Sequence, residues 1–150
     1  MMFTINDCFI DSSVLIEYNK GNKLKLFNKL QDDPGIMCYV NEVVISEFLF
    51  YYLANNGNKA PRTLQMRGEI KDIFMQFQQY QLIKLCRLIP NDNRLFSIVP
   101  QLMSKYNLLP NDAIILATCK MHGITKLASH DTDFTIPCQE EGIELLIEKD

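Results

Sequence analysis

No part of this chain offers a way through a membrane. Crossing a bilayer takes about 18–20 consecutive apolar residues, and the longest run here, Phe48 to Ala54, has seven. The N-terminus lacks a basic region, and Asp7 and Asp11 interrupt any apolar leader core. Neither a signal peptide nor a membrane partner is expected, and the compartment these features point to is the cytoplasm. Cysteine pairing is missing as well. Cys8, Cys38, Cys86, Cys119 and Cys138 are odd in number, scattered and without a C-x-x-C, which argues against a disulfide framework or a zinc knuckle. "CKMH" (119–122) has no second half, so the five read as buried thiols. There are only two histidines, His122 and His130, and no internal repeat, low-complexity tract or long linker.

What remains is an ordinary globular composition, 47% apolar and 22% charged over 150 residues, enough for one domain (1–150) with a sizeable core. Strand-like and helix-like segments alternate. Strands are expected within 3–11, at 36–40, 81–89, 125–129 and 143–147, and helices at 13–20, 22–31, 41–55, 62–79, 93–107 and 111–123. Pro100 should kink or split the helix at 93–107, and Asn111 is the expected N-cap of the last one, stopped by Gly123. Strands separated by helices imply a largely parallel sheet covered on both faces. Functional groups in such sheets gather beyond the carboxyl ends of the strands.

Four acids meet that rule. Asp11 follows the first strand in "FIDSSVL", and Asp131 follows the fourth in "LASHDTDF". Asp112 lies in the first turn of the helix leading into that strand. Glu47 sits one to two turns into an apolar helix, between Ser46 and Phe48. Taken singly, Asp11 and Asp112 read as helix-end acids and Asp131 as a turn residue. Glu47 resists such a reading, because a carboxylate in an apolar helix needs a cation, a metal or a solvent cleft. Held close together, the acids would raise one another's pKa, and hard divalent ions such as Mg2+ and Mn2+ take such oxygen ligands. The net charge of −3 does not oppose a polyanionic substrate. Of eighteen acids, setting aside Asp11, Glu47, Asp112, Asp131 and Asp133 leaves thirteen against fifteen Lys and Arg.

"FIDSSVLIEY", "VNEVVISEFLFYYL", "LPNDAIILATCKMHG" and "LASHDTDF" together resemble the PIN-domain nucleases, most closely the VapC-type toxin ribonucleases of toxin–antitoxin pairs. The resemblance spans Asp11 to Phe134. It implies an α/β/α sandwich of Rossmann-like layering, with a mostly parallel sheet of about five strands. It also implies a Mg2+- or Mn2+-dependent site hydrolysing RNA phosphodiester bonds to 5′-phosphate and 3′-hydroxyl products. Asp11, Glu47, Asp112 and Asp131 match the family's acidic quartet, and Ser13 and Ser129 its supporting polar positions. Asp133 matches a second acid in the last motif, expected to be outer-sphere or structural beside Asp131. Asp11 and Asp112 are expected as main metal ligands, with Glu47 orienting or deprotonating the water. A homodimer and a small antitoxin partner are implied in the same way.

For the RNA backbone, Lys59, Arg62, Arg67 and Lys71 form a basic group after the Glu47 helix, which could equally be a solvated helix face. Rival readings are weaker. "DTDFT" (131–135) spells a phosphatase nucleophile loop, but too little chain follows it. "HD" (130–131) lacks the further histidines of HD phosphohydrolases. A two-histidine ribonuclease would need His122 and His130 on one edge, and a receiver domain would need an acceptor aspartate after strand three. A catalytically silent PIN-like scaffold binding RNA or protein is the remaining alternative.

Overall fold

A computed structural model describes residues 3–149. The chain begins with β1 (Cys8–Ile10), α1 (Ser12–Asn19), α2 (Leu24–Asp32) and β2 (Cys38–Val40). Next come α3 (Glu42–Gly57), α4 (Pro61–Arg67), α5 (Ile70–Gln76), a 3-10 helix over Gln79–Leu85 and β3 (Arg87–Leu88). The chain ends with α6 (Leu95–Tyr106), α7 (Pro110–His122), β4 (Lys126–Ala128), a 3-10 turn at Thr132–Phe134, α8 (Thr135–Glu140) and β5 (Glu144–Leu146). The five strands form one sheet in the order β3-β2-β1-β4-β5. All pairings are parallel, with Phe9 opposite both Tyr39 and Leu127. A parallel sheet flanked by helices buries both strand faces, which is why Cys8, Phe9 and Ile10 are all fully buried.

The order of strands positions the site. From β1 the chain builds outward to β2 and β3, then returns across to β4 and β5 on the other side. The reversal opens a crevice beyond the carboxyl ends of β1 and β4. The Asp11 amide extends that pairing, donating to the Ala128 carbonyl at 2.9 Å. Asn41 fixes the entry of α3: its Oδ1 accepts from the Val44 amide and its Nδ2 donates to Thr118 Oγ1, both at 3.1 Å. It is fully buried, so one side chain caps α3 and ties it to α7.

Several sequence expectations differ from the structure, among them the N-cap of α7, which is Leu109 rather than Asn111. The helix expected at 62–79 is two helices, because Gly68 takes a left-handed φ of 68° and ends α4. The strand expected at 81–89 is mostly 3-10 helix. Its inward residues Leu82, Ile83 and Cys86 recur at helical rather than alternate spacing. Helix α6 runs unbroken through Pro100. None of the helices among the described residues is long and apolar enough to cross a membrane.

Candidate active site

Asp11 is 4% exposed in the first position past β1. It occupies the N-cap position of α1 but makes no side-chain cap bond, so helix capping does not explain it. Its Oδ2 accepts instead from Ser13 Oγ and Ser129 Oγ, each at 2.7 Å. Those hydroxyls in turn accept from the backbone amides of His130 and Asp131, both at 3.0 Å. Each serine has one hydrogen and directs it to Asp11, so their 3.3 Å contact with each other is left without a proton. The network locks the β4 exit to α1. Burial raises the Asp11 pKa; the serine hydroxyls oppose that, and Asp131 adds to it.

Glu47 projects from the second turn of α3 and is partly buried. Its Oε1 accepts from Ser12 Oγ at 3.2 Å, and the Asn111 side chain also bonds it. Burial raises its pKa, Asn111 opposes the rise, and repulsion from Asp11 reinforces it. Asp112 stands in the first turn of α7. Its carboxyl is pushed up to about 7, by burial first and then by Asp131, Asp11, Glu47 and Asp133. Asp131 caps the 3-10 turn, accepting the Asp133 amide at 2.9 Å through Oδ1.

One carboxylate oxygen from each of Asp112, Asp131 and Asp133 lies within 4.8 Å of the other two. The structure thus brings Asp133 into the convergent set with Asp112 and Asp131, while the Asp11 carboxylate is turned to its serines and Glu47 to Ser12 and Asn111. Electrostatically the set is still linked: all four other acids raise the Asp112 carboxyl, and Asp131 acts on both Asp11 and Glu47. The donors are carboxylate oxygens, the kind a hard divalent cation takes, and burial first, then the gathered negative charge, raises the Asp112 carboxyl.

Of the residues expected to contact substrate, Lys59 follows α3, Arg62 and Arg67 stand on α4, and Lys71 stands on α5. Lys59 lies beyond α3, which carries the chain about 15 Å past Glu47 over ten residues. Lys59 pairs with Glu69 at 2.8 Å, Arg67 reaches the same carboxylate at 3.8 Å, and Arg62 donates to Gln65. Lys71 is exposed on α5. Cations nearer the acids are Lys20 and Lys23, which with His130 and Asp131 line one cleft, and Lys105, which lines another beside Asp133.

Sequence reasoning missed Ser12, Asn111 and these lysines. Asn111 was findable: Pro110 favours the first helical position, which puts the N-cap at Leu109 and frees the Asn111 side chain. Ser12 carries no signal beyond its neighbour Ser13. His122, at the far end of α7, packs against Phe3 with ring centroids 5.3 Å apart. His130 follows β4, so the two do not share an edge.

Comparison with known proteins agrees with this layout. The family model described as the PIN domain matches residues 8–137. Ribonuclease VapC2 of Methanocaldococcus jannaschii is 33% identical over 131 residues, covering 86% of this chain and 87% of that protein. Ribonuclease VapC6 of the same organism is 32% identical over 140 residues, covering 86% and 91%. Among solved structures, FitAcB from Neisseria gonorrhoeae superimposes with a TM-score of 0.63 at 17% identity, covering 93% of this chain and 96% of that one. VapBC2 from Rickettsia felis, bound to a promoter DNA fragment, gives 0.60 at 12% identity, covering 95% and 99%. These two share the fold.

Proposed function

The chain belongs to the PIN-domain family, and from that premise we propose that it is a divalent-metal-dependent endoribonuclease, the toxin of a toxin–antitoxin pair. The observation that carries the reading is the convergence of Asp112, Asp131 and Asp133 within 4.8 Å, with the Asp112 carboxyl driven up to about 7. Identity with two curated ribonucleases supports RNA as the substrate.

Asp112, Asp131 and Asp133 would hold Mg2+ or Mn2+, with Asp11 contributing charge from its serine-braced position. When bound, such an ion would supply Lewis-acid chemistry, offsetting phosphoryl charge and lowering the pKa of a water. Glu47, aimed by Ser12 and Asn111, orients that water and accepts its proton; its raised pKa suits an acceptor. Ser13 and Ser129 donate to Asp11, favouring its carboxylate form against burial, and fix it against the β4 exit. Water rather than the ribose 2′-hydroxyl is the nucleophile, so the products carry 5′-phosphate and 3′-hydroxyl ends.

Two protein partners belong to the same proposal: a small antitoxin and a second copy of the chain. The solved toxin–antitoxin complex from Klebsiella pneumoniae, of similar fold, is the supporting precedent for the antitoxin. A solution mass of twice 17.4 kDa is the expected reading for the free protein.

End-labelled RNA tests the enzyme. Cleavage should require Mg2+ or Mn2+, stop with chelator, and leave 5′-phosphate ends. Cyclic phosphate ends or chelator-resistant cutting would refute the mechanism. Binding without cutting by the wild type would assign the scaffold role instead.

A further inference from the structure

A cleft of about 520 Å³ has Asp131, one of the convergent acids, and Ser13 in its wall. Tyr51 lines the same cleft, and Glu17, Lys20, Lys23, His130 and Thr132 make up the rest of its polar lining. Helix α3 turns Phe48 and Tyr52 fully into the core but leaves Tyr51 48% exposed. The Tyr51 ring is steadied by Phe50, whose ring meets it edge-on at 5.6 Å and 85°. Lys20 Nζ stands 3.2 Å from Glu17 Oε1, with 41% of the lysine side chain still exposed.

Acids and lysines balance along this wall, so charge alone would not select an anion there. What sets the cleft apart is a large aromatic face, ringed by polar groups, opening onto the position where a phosphodiester must sit. An unpaired nucleoside has the matching parts: a flat base for the ring and a phosphate for the lysine. A base paired in a duplex would first have to unpair and unstack to reach that face, which costs free energy.

We propose that this cleft is a nucleoside subsite, taking the unpaired base beside the scissile phosphate with Tyr51 as its stacking face and Lys20 on the neighbouring phosphate. The assignment rests on the ribonuclease reading above. Tyr51 adds binding that is equal in the ground and transition states, so its loss acts on KM rather than kcat.

The test pairs a protein change with a substrate change. A synthetic single-stranded RNA that the wild type cuts in Mn2+ is remade with one abasic ribose at each position flanking the cut in turn. Wild type, Tyr51→Ala and Tyr51→Phe are compared as full chains. At one flanking position the abasic substitution should raise the wild-type KM about tenfold, the scale of one lost base–aromatic stack, with kcat changed less than twofold. The same substitution should leave the KM of Tyr51→Ala unchanged, and Tyr51→Phe should behave as wild type. Lys20→Ala should raise KM without erasing that base dependence. Additive losses at every position, or a wild-type KM in Tyr51→Ala, would overturn the subsite while the nuclease reading stood. If Tyr51→Ala loses only the binding of a protein partner, the surface belongs to that partner and the subsite is likewise overturned. A wild type that cuts no RNA in Mn2+ overturns both.

Discussion

Replacing Asp112 by asparagine should make the metal-free protein more stable while ending its activity. The carboxyl is pushed from an ordinary 3.8 up to about 7. At about 1.36 kcal/mol per pH unit, ionising it in the folded chain costs at most about 4 kcal/mol. Asp112 is only partly buried, and solvent screening reduces that to roughly half. Losing an anion from the first turn of α7 gives back about 0.5 kcal/mol of helix-dipole stabilisation. The expected net gain is about 1–2 kcal/mol, or roughly 3–6 °C in melting temperature for a chain of this size. The sign fixes the pH window. Because the folded pKa is raised, the folded state keeps a proton that the unfolded chain has already released. Wild-type stability should therefore fall as pH climbs from about 4 through 7, with the loss complete above that. Thermal melts in chelator, at pH 4 and pH 8, should show the variant more stable at pH 8 and equal at pH 4. A variant no more stable at pH 8, or equally stabilised at both, would refute the reasoning.

Asn41→Ala should cost about 2–3 kcal/mol, since it removes a helix cap and leaves the Val44 amide and Thr118 hydroxyl without their partner; the urea midpoint reads it. Gly57→Ala should cost about 1–3 kcal/mol by overpacking, because a Cβ there would stand 2.7 Å from Leu64 Cδ1 in the buried contact of α3 and α4. Ser12→Ala and Asn111→Ala should each lower kcat about 10–100-fold with little change in melting temperature, the scale for residues that aim a catalytic ligand. Equal kcat in both variants would remove Glu47 from the role proposed for it.

Chemistry was more legible in the sequence than local geometry. Buried parallel strands read as short apolar runs, and the acids stand where those runs stop, so Asp11 and Asp131 could be placed at one sheet edge without coordinates. The 81–89 segment is ambiguous in sequence because its apolar residues suit either a strand or a tight helix, and only packing decides. The helical pattern of 62–79 continues across Gly68 in sequence, whereas in the fold that single left-handed residue ends α4. Cation placement was the least legible feature. Lys59, Arg62, Arg67 and Lys71 cluster in sequence, but folding pairs Lys59 and Arg67 with the same Glu69 carboxylate. Lys20 and Lys105 are separated by most of the chain, and tertiary folding alone brings each near the acids.

Equilibrium titration of Mn2+ into the metal-free protein, followed by calorimetry beside Asp112→Asn and Asp131→Asn, asks most directly whether these carboxylates work as one cation cage. Saturable binding in the wild type, weakened at least tenfold in both variants, is the expected result. Wild-type protein that takes up no Mn2+, or variants that bind it as tightly, would contradict it.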